Sequence, residues 1–462
     1  MITRRTLLGA GLGVGLGAGL GVSSSSALLA RAFAASGGPL PLPAAADTLG
    51  QGEFALFSAS DLNFQTLIAL GGAGINSQVG EVITAVMQAN AAPGGASYQS
   101  LYDAMVATAN RLLEAADDAA ARKRTVTARD RYLRAAQYYN QALFWVLGTS
   151  TPDAEESVYR AMEDALAQSA MRQVPRWERV EIPYAKAKIP AWFVRAPGAT
   201  GRRPTVIMNN GSDGQNVDML PQGASAALAR GWHVLLFEGP GQGRMLFVDE
   251  VPFTPDWHEV VSPIVDDLQS RSDVDPKKIA LIGVSFGGLL VIRAGAHEHR
   301  LAAIVSDPGS VNDYDAFPEV LHEVAQGDES TVNQAWADLV VPGSDASQLF
   351  SLKKRLEIFS TDALHEARAG KVPSNWYELS RRIQEFTLGD LATKVTSPTL
   401  VVDYELEAFY PGQAKTLFDQ LTTKTKDYVR FTTVEGAQYH DAPVGSQWHG
   451  EVVMDWLDQH VS

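Results

Sequence analysis

The sequence predicts an α/β protein: an eight-stranded, mostly parallel sheet with helices on both faces, a helical domain ahead of it and a helical insertion within it. Three observations carry this reading. After Pro175, eight short runs rich in Val, Ile, Leu and Phe alternate with helical stretches. Several of those runs are apolar without alternation, as expected of strands buried on both faces. Before Pro175, apolar residues recur at spacings of three and four, with no period-2 run. The 462 residues allow two or three domains, and a hydrophobic share of 45% is that of a globular chain. The absence of cysteine excludes disulfides, thiolate metal sites and a cysteine nucleophile. A formal net charge of −15 argues against nucleic acid or an anionic membrane as partner, since both need a basic face.

The chain opens with Arg4 and Arg5, the uncharged run 7–22, serines at 23–26 and Ala32-Phe33-Ala34; its first acidic residue is Asp47. That order is an n-region, an h-region and a small-x-small cleavage site. Thr3-Arg4-Arg5-Thr6-Leu7-Leu8 is similar to a twin-arginine export signal. Residues 1–34 are therefore expected to be a signal peptide that sends the protein to the cell envelope or medium. The h-region, interrupted by glycine, is too weakly hydrophobic to suit the alternative of an uncleaved anchor, so no stable membrane span is expected after processing. Residues 35–50 read as a linker.

Residues 51–175 read as a helical domain. Its clearest helix lies at 129–147, where Tyr132, Leu133, Ala136, Tyr139, Leu143, Val146 and Leu147 form one apolar stripe that ends at Gly148. Thr151-Pro152-Asp153 then supplies an N-cap, an N1 proline and an acidic first turn. No repeat period is present, so the aromatic stripe reads as core packing rather than a helical-repeat surface. The eight strand-like runs are 179–183, 189–195, 205–209, 233–237, 279–284, 301–305, 399–403 and 428–434, within a second domain at 176–462. The interval 308–396 is too long for an ordinary loop and is partly helical. It reads as a lid inserted over the carboxyl edge of the sheet, where open α/β folds bind ligands.

The sharpest chemical signal is Gly283-Val284-Ser285-Phe286-Gly287, followed by Gly288. It lies between a strand and the helical run 289–296, the context of a nucleophile elbow. A serine hydroxyl needs a base, usually histidine, and a carboxylate to orient that base. In this chain order the base follows the last strand, and His440 does so. His449 and His460 fall within the final helix and read as surface or packing residues. His297 and His299 diverge on a helix by about 200°, so they cannot chelate one metal from one face. For the acid, Asp403 ends the seventh strand, and Glu405 and Glu407 lie in the loop beyond; each stays open on the residues alone. The oxyanion donors are expected to be the backbone N–H groups of Phe286 and of Ser212, the latter in the loop 210–214. Glu238-Gly239-Pro240-Gly241-Gln242-Gly243 is no phosphate loop, because no Gly-Lys-Ser/Thr follows.

Taken together, these residues resemble the α/β-hydrolase superfamily. Within it they are similar to the subgroup of 2,6-dihydroxypseudooxynicotine hydrolase, fungal heptaketide-shortening hydrolases and fermentation-respiration-switch-type esterases. The carriers are Glu238 to Gly243, Val274-Asp275-Pro276 through Gly288, Gly436 to His440, and Met454-Asp455-Trp456-Leu457-Asp458. The resemblance covers about 175–462, with a helical cap before the core. It implies a Ser285–Glu407–His440 triad, with Tyr404 where a glycine is expected and Asp307 as a reserve acid. It implies hydrolysis of an ester, or alternatively of a C–C bond beside a ketone or a peptide bond, with no metal or organic cofactor. A small organic ester held between core and caps is the expected substrate, a homodimer the expected assembly. The rival from another class is a non-catalytic binding protein of the same fold.

Overall fold

The computed structural model describes residues 56–57 and 60–461; the expected signal peptide and linker lie outside the described residues. The first part is helical: α1 (Asn63–Gly71), α2 (Val79–Asn90), α3 (Tyr98–Ala121), α4 (Thr125–Trp145) and α5 (Glu155–Ala170). Ser97 caps α3 with a reciprocal box through Ser100. Pro152 opens the short turn of 3-10 helix that leads into α5. The buried stripe of α4 includes Tyr132, Leu133, Ala136, Tyr139 and Leu143, so its aromatics are core residues. The helix α1 precedes the point at which the sequence periodicity becomes clear.

The sheet has eight strands: β1 (Glu178–Tyr184), β2 (Ala187–Val194), β3 (Arg203–Asn209), β4 (His233–Phe237), β5 (Val274–Val284), β6 (Ala303–Asp307), β7 (Thr399–Tyr404) and β8 (Lys426–Phe431). Their order is β1-β2-β4-β3-β5-β6-β7-β8. β2 pairs antiparallel with β1 and β4, and every later pairing is parallel. β4, β6 and β7 are buried along their whole length, which accounts for their unbroken apolar runs. Strand ends depart from the sequence reading where polar residues pair within the protein or apolar ones face water. β6 runs on to Ser306 and Asp307, because Ser306 donates to the Gly288 carbonyl and Asp307 has buried partners. β8 stops at Phe431, and Val434, placed by the sequence in the strand, is 91% exposed.

Between β6 and β7 the chain forms short helices, among them Glu319–Val324, Glu329–Ala335, Ala346–Leu356, Thr361–Arg368 and Trp376–Gln384. Asp328, Asp345, Ser360 and Asn375 accept first-turn amides and so fix where four of them begin. This insertion packs on the N-terminal helices. Phe350 stacks on Tyr98 at 4.3 Å and lies 5.8 Å from Trp145. Beside it, buried Lys354 pairs with Glu357 at 2.7 Å and faces Glu155 of α5, which Arg368 contacts at 3.0 Å. Among the described residues no helix is long and apolar enough to cross a membrane.

Candidate active site

The site is built around a backbone bend. Ser285 follows β5 with φ +57°, a left-handed conformation that a non-glycine residue holds only when its surroundings enforce it. Its amide donates to the Asp307 carbonyl at 2.6 Å. The glycines around it are sterically required. A Cβ on Gly283 would lie 2.1 Å from the Gly287 carbonyl oxygen, and one on Gly288 2.1 Å from that of Pro308. The helix Gly287–Gly295 therefore starts hard against the sheet and leaves the Ser285 hydroxyl in the open.

His440 arrives from the loop after β8. Its Nε2 is 2.9 Å from Ser285 Oγ, and its Nδ1 is 2.9 Å from both carboxylate oxygens of Glu407. Leu406 in the loop after β7 donates its amide to the Gln438 carbonyl, which ties that loop to the one bearing His440. Glu407 Oε1 accepts the amides of Phe409 and Tyr410 at 2.8 and 3.0 Å, and the side chain is only 3% exposed. Of the four carboxylates singled out in the sequence, the structure brings Glu407 to His440 and places the others elsewhere. Asp403 accepts from Tyr428 and Arg430 at the sheet edge. Glu405 is exposed and bonds Thr433. Asp307 accepts the Tyr404 hydroxyl and lies 2.6 Å from Nε2 of His449, which is fully buried and so is a packing residue, not a surface one. Tyr404, in the place of the expected glycine, thus ends β7 with its hydroxyl turned to Asp307, and the loop still carries Glu407 to the histidine.

A second carboxyl flanks His440. Asp441 Oδ2 lies 3.3 Å from Nε2, on the side away from Glu407. Burial disfavours the protonated imidazole, but the Asp441 and Glu407 carboxylates outweigh it and raise His440 to about 9. Burial raises Asp441 to about 7, against the pull of His440 and with the help of Asp307 and Glu407. Between about pH 7 and 9 the coupled pair holds a single proton, which either group can carry.

The amides of Phe286 and Ser212 donate to no other acceptor among the described residues, which leaves both free for an oxyanion. Gly211 packs so closely on Ser285 that a Cβ there would lie 2.7 Å from Ser285 Cβ. Gln242, in the second glycine-rich turn, donates to the carbonyls of Asn210 and Gly211 at 2.6 and 2.9 Å. That turn therefore braces the loop that carries Ser212. Its Glu238 is buried and accepts from Tyr159 of α5 and from the Arg244 amide. Among the described residues no group of three or more His, Asp and Glu is placed to hold a metal ion.

Residues 214–453 match the sequence profile of the Alpha/beta hydrolase family. The chain belongs to that family. Its curated relatives include a Fusarium hydrolase, LUC6, 30% identical over 56% of this chain and 63% of its own length. They also include the 20-hydroxy-prefusarin hydrolase FUS2 of Gibberella moniliformis, 30% identical over 56% of this chain and 62% of its own. The chain thus spans under two thirds of the length of these relatives. The crystal structure of a 2,6-dihydroxy-pseudo-oxynicotine hydrolase shares the fold, with a TM-score of 0.61 and 19% identity over 86% of this chain and 96% of that one.

In this α/β hydrolase, Ser285 and His440 open onto a cavity of about 560 Å³. The N-terminal helices supply Phe64, Ile68 and Phe144 to its wall, and the insertion supplies Phe317, Phe350 and Phe359. Sequence reasoning missed these wall residues, and it missed Asp441. The signal for Asp441 is its position directly after the expected base. The wall residues carry no signal beyond apolarity.

Proposed function

We propose that this protein is an exported serine hydrolase that cleaves a small organic ester through an acyl-enzyme on Ser285. The observation that carries the reading is His440 standing 2.9 Å from both the Ser285 hydroxyl and the Glu407 carboxylate. In the proposed cycle the Ser285 hydroxyl attacks the acyl carbonyl carbon as His440 Nε2 takes its proton. Glu407 holds the tautomer with the proton on Nδ1. The Phe286 and Ser212 amides receive the oxyanion, and water then releases the acyl group. The aromatic cavity suits a compact organic molecule rather than a polymer. The helices at 51–175 and the insertion at 308–396 would then be caps that set specificity.

A second reading, hydrolysis of a C–C bond beside a ketone, uses the same nucleophile but also needs a proton for the departing carbon. Asp441 beside His440 is the observation that keeps it in play. Labelling by a fluorophosphonate probe that disappears in Ser285→Ala supports the serine hydrolase. An unlabelled wild type supports the non-catalytic binding protein. Turnover of p-nitrophenyl esters against β-diketones then separates the two enzymatic readings. Export rests on residues 1–34, and Arg4→Lys/Arg5→Lys should leave the protein in the producing cell.

A further inference from the structure

The site contains one more carboxyl than a serine triad uses. Asp441 follows the base directly, and both it and Ala442 hold left-handed backbone, with φ +61° and +45°. That bend turns the Asp441 side chain to the cavity, which it lines together with Ser285 and His440. The residue is 8% exposed, and its Oδ1 has no hydrogen-bond partner among the described residues. The contact of Oδ2 with His440 Nε2, at 3.3 Å, is an ion-pair distance, longer than the 2.9 Å from Nε2 to the serine hydroxyl.

Charge counting says what this carboxyl holds. The buried cluster contains Asp307, Glu407 and Asp441 against His440 and His449. His449 offsets Asp307 and His440 offsets Glu407. Asp441 has to share His440 with Glu407, so the cluster holds one carboxyl more than it has imidazoles, and burial favours the neutral form of Asp441. When the proton shared with His440 sits on Asp441, Nε2 is free to accept from Ser285.

We propose that Asp441 is a catalytic residue of this hydrolase, the proton donor to the leaving group, while His440 serves as the base for Ser285 and then for water. The proposal rests on the serine hydrolase reading. In acylation the Ser285 proton passes to His440, the C–X bond of the tetrahedral intermediate breaks, and the departing X⁻ takes the proton of Asp441 and leaves as HX. The proton on His440 then crosses to the Asp441 carboxylate. Water attacks the acyl-enzyme and gives a proton to His440, which returns it to Ser285 Oγ as the acid departs. Both groups end as they began.

The test is a leaving-group series of aryl esters with one acyl group, from p-nitrophenol to p-methoxyphenol, on wild type and Asp441→Asn. Asparagine keeps the size and tolerates left-handed backbone, but has no carboxyl proton to give. The loss in Asp441→Asn should rise with leaving-group pKa, to about a hundredfold or more at p-methoxyphenol, and the Brønsted slope should steepen. A uniform loss across the series, or an unchanged slope, overturns the proposal. Fluorophosphonate labelling runs in parallel. Labelling of both proteins with an unchanged slope rejects Asp441 alone, whereas an unlabelled wild type rejects the hydrolase reading itself.

Discussion

Glu407→Gln is the change that most directly probes the site. The amides of Phe409 and Tyr410 hold one carboxylate oxygen at 2.8 and 3.0 Å, so a glutamine keeps its carbonyl there. Its NH2 then replaces Oε2, one of the two oxygens 2.9 Å from His440 Nδ1, and favours a tautomer in which Nδ1 accepts. The imidazole proton moves to Nε2, where it faces the Ser285 hydroxyl and removes the base. Losing a charged hydrogen bond costs about 1.5–3 kcal/mol, roughly 10- to 150-fold in rate. The wrong tautomer adds to that, and the corresponding change in a serine-protease triad lowers kcat about 10⁴-fold. We expect kcat on a p-nitrophenyl ester to fall by at least about a hundredfold, with KM and Tm close to wild type. Glu405→Gln and Asp403→Asn, whose carboxylates bond Thr433 and Tyr428, should keep normal rates. Asp307→Asn removes one partner of a buried pair with His449 and should lower Tm instead. A Glu407→Gln enzyme within about fivefold of wild type would refute the reasoning, and a folded but inactive Asp307→Asn beside it would name the acid.

The buried Lys354–Glu357–Glu155 cluster should not tolerate loss of its cation: Lys354→Met should destabilise by about 3–5 kcal/mol, read from urea unfolding. Gly211→Ala should cost at least about a hundredfold in kcat, because its Cβ would meet Ser285 and displace the oxyanion loop, and stopped assays at saturating ester measure it. His440 and Asp441 both bind protons more tightly folded than unfolded, so both stabilise at low pH. Tm should fall as pH rises from about 4 to 9, through Asp441 up to about 7 and through His440 from about 6.5, and Asp441→Asn should flatten the lower part.

The core strands were readable because a strand buried on both faces leaves an unbroken apolar run. Their ends were not, since Ser306 and Asp307 look like loop residues until Gly288 and His449 are seen to satisfy them. Ser285 and His440 were legible because a glycine-flanked bend between strand and helix, and a histidine after the last strand, are chain-local patterns. Glu407 stood beside Glu405 in the loop and Asp403 at the strand end, and only the resemblance to the superfamily singled it out. Spacing alone cannot show that backbone amides of Phe409 and Tyr410 fix it. The cavity wall depends on which side of each helix meets the core, so Phe64 in α1 and Phe350 in the insertion gave no advance sign of a shared pocket.

The roof over the cavity is made from two stretches far apart in sequence, clasped by Phe350 between aromatic rings and by Lys354 and Arg368 against Glu155. Neither stretch supplies Ser285, Glu407 or His440. On the proposed reading, what the cavity admits and what is done to the guest are written in different parts of the gene. Selection can redraw the roof without touching Ser285, Glu407 or His440, and changes on one side of the clasp bear on the other. A single substitution at the seam removes one contact across it, as loss of Glu155 would for both Lys354 and Arg368. Variation within the lineage should accordingly run in coordinated pairs across this seam, and grafts that exchange both roof segments should carry specificity where single-segment grafts fail.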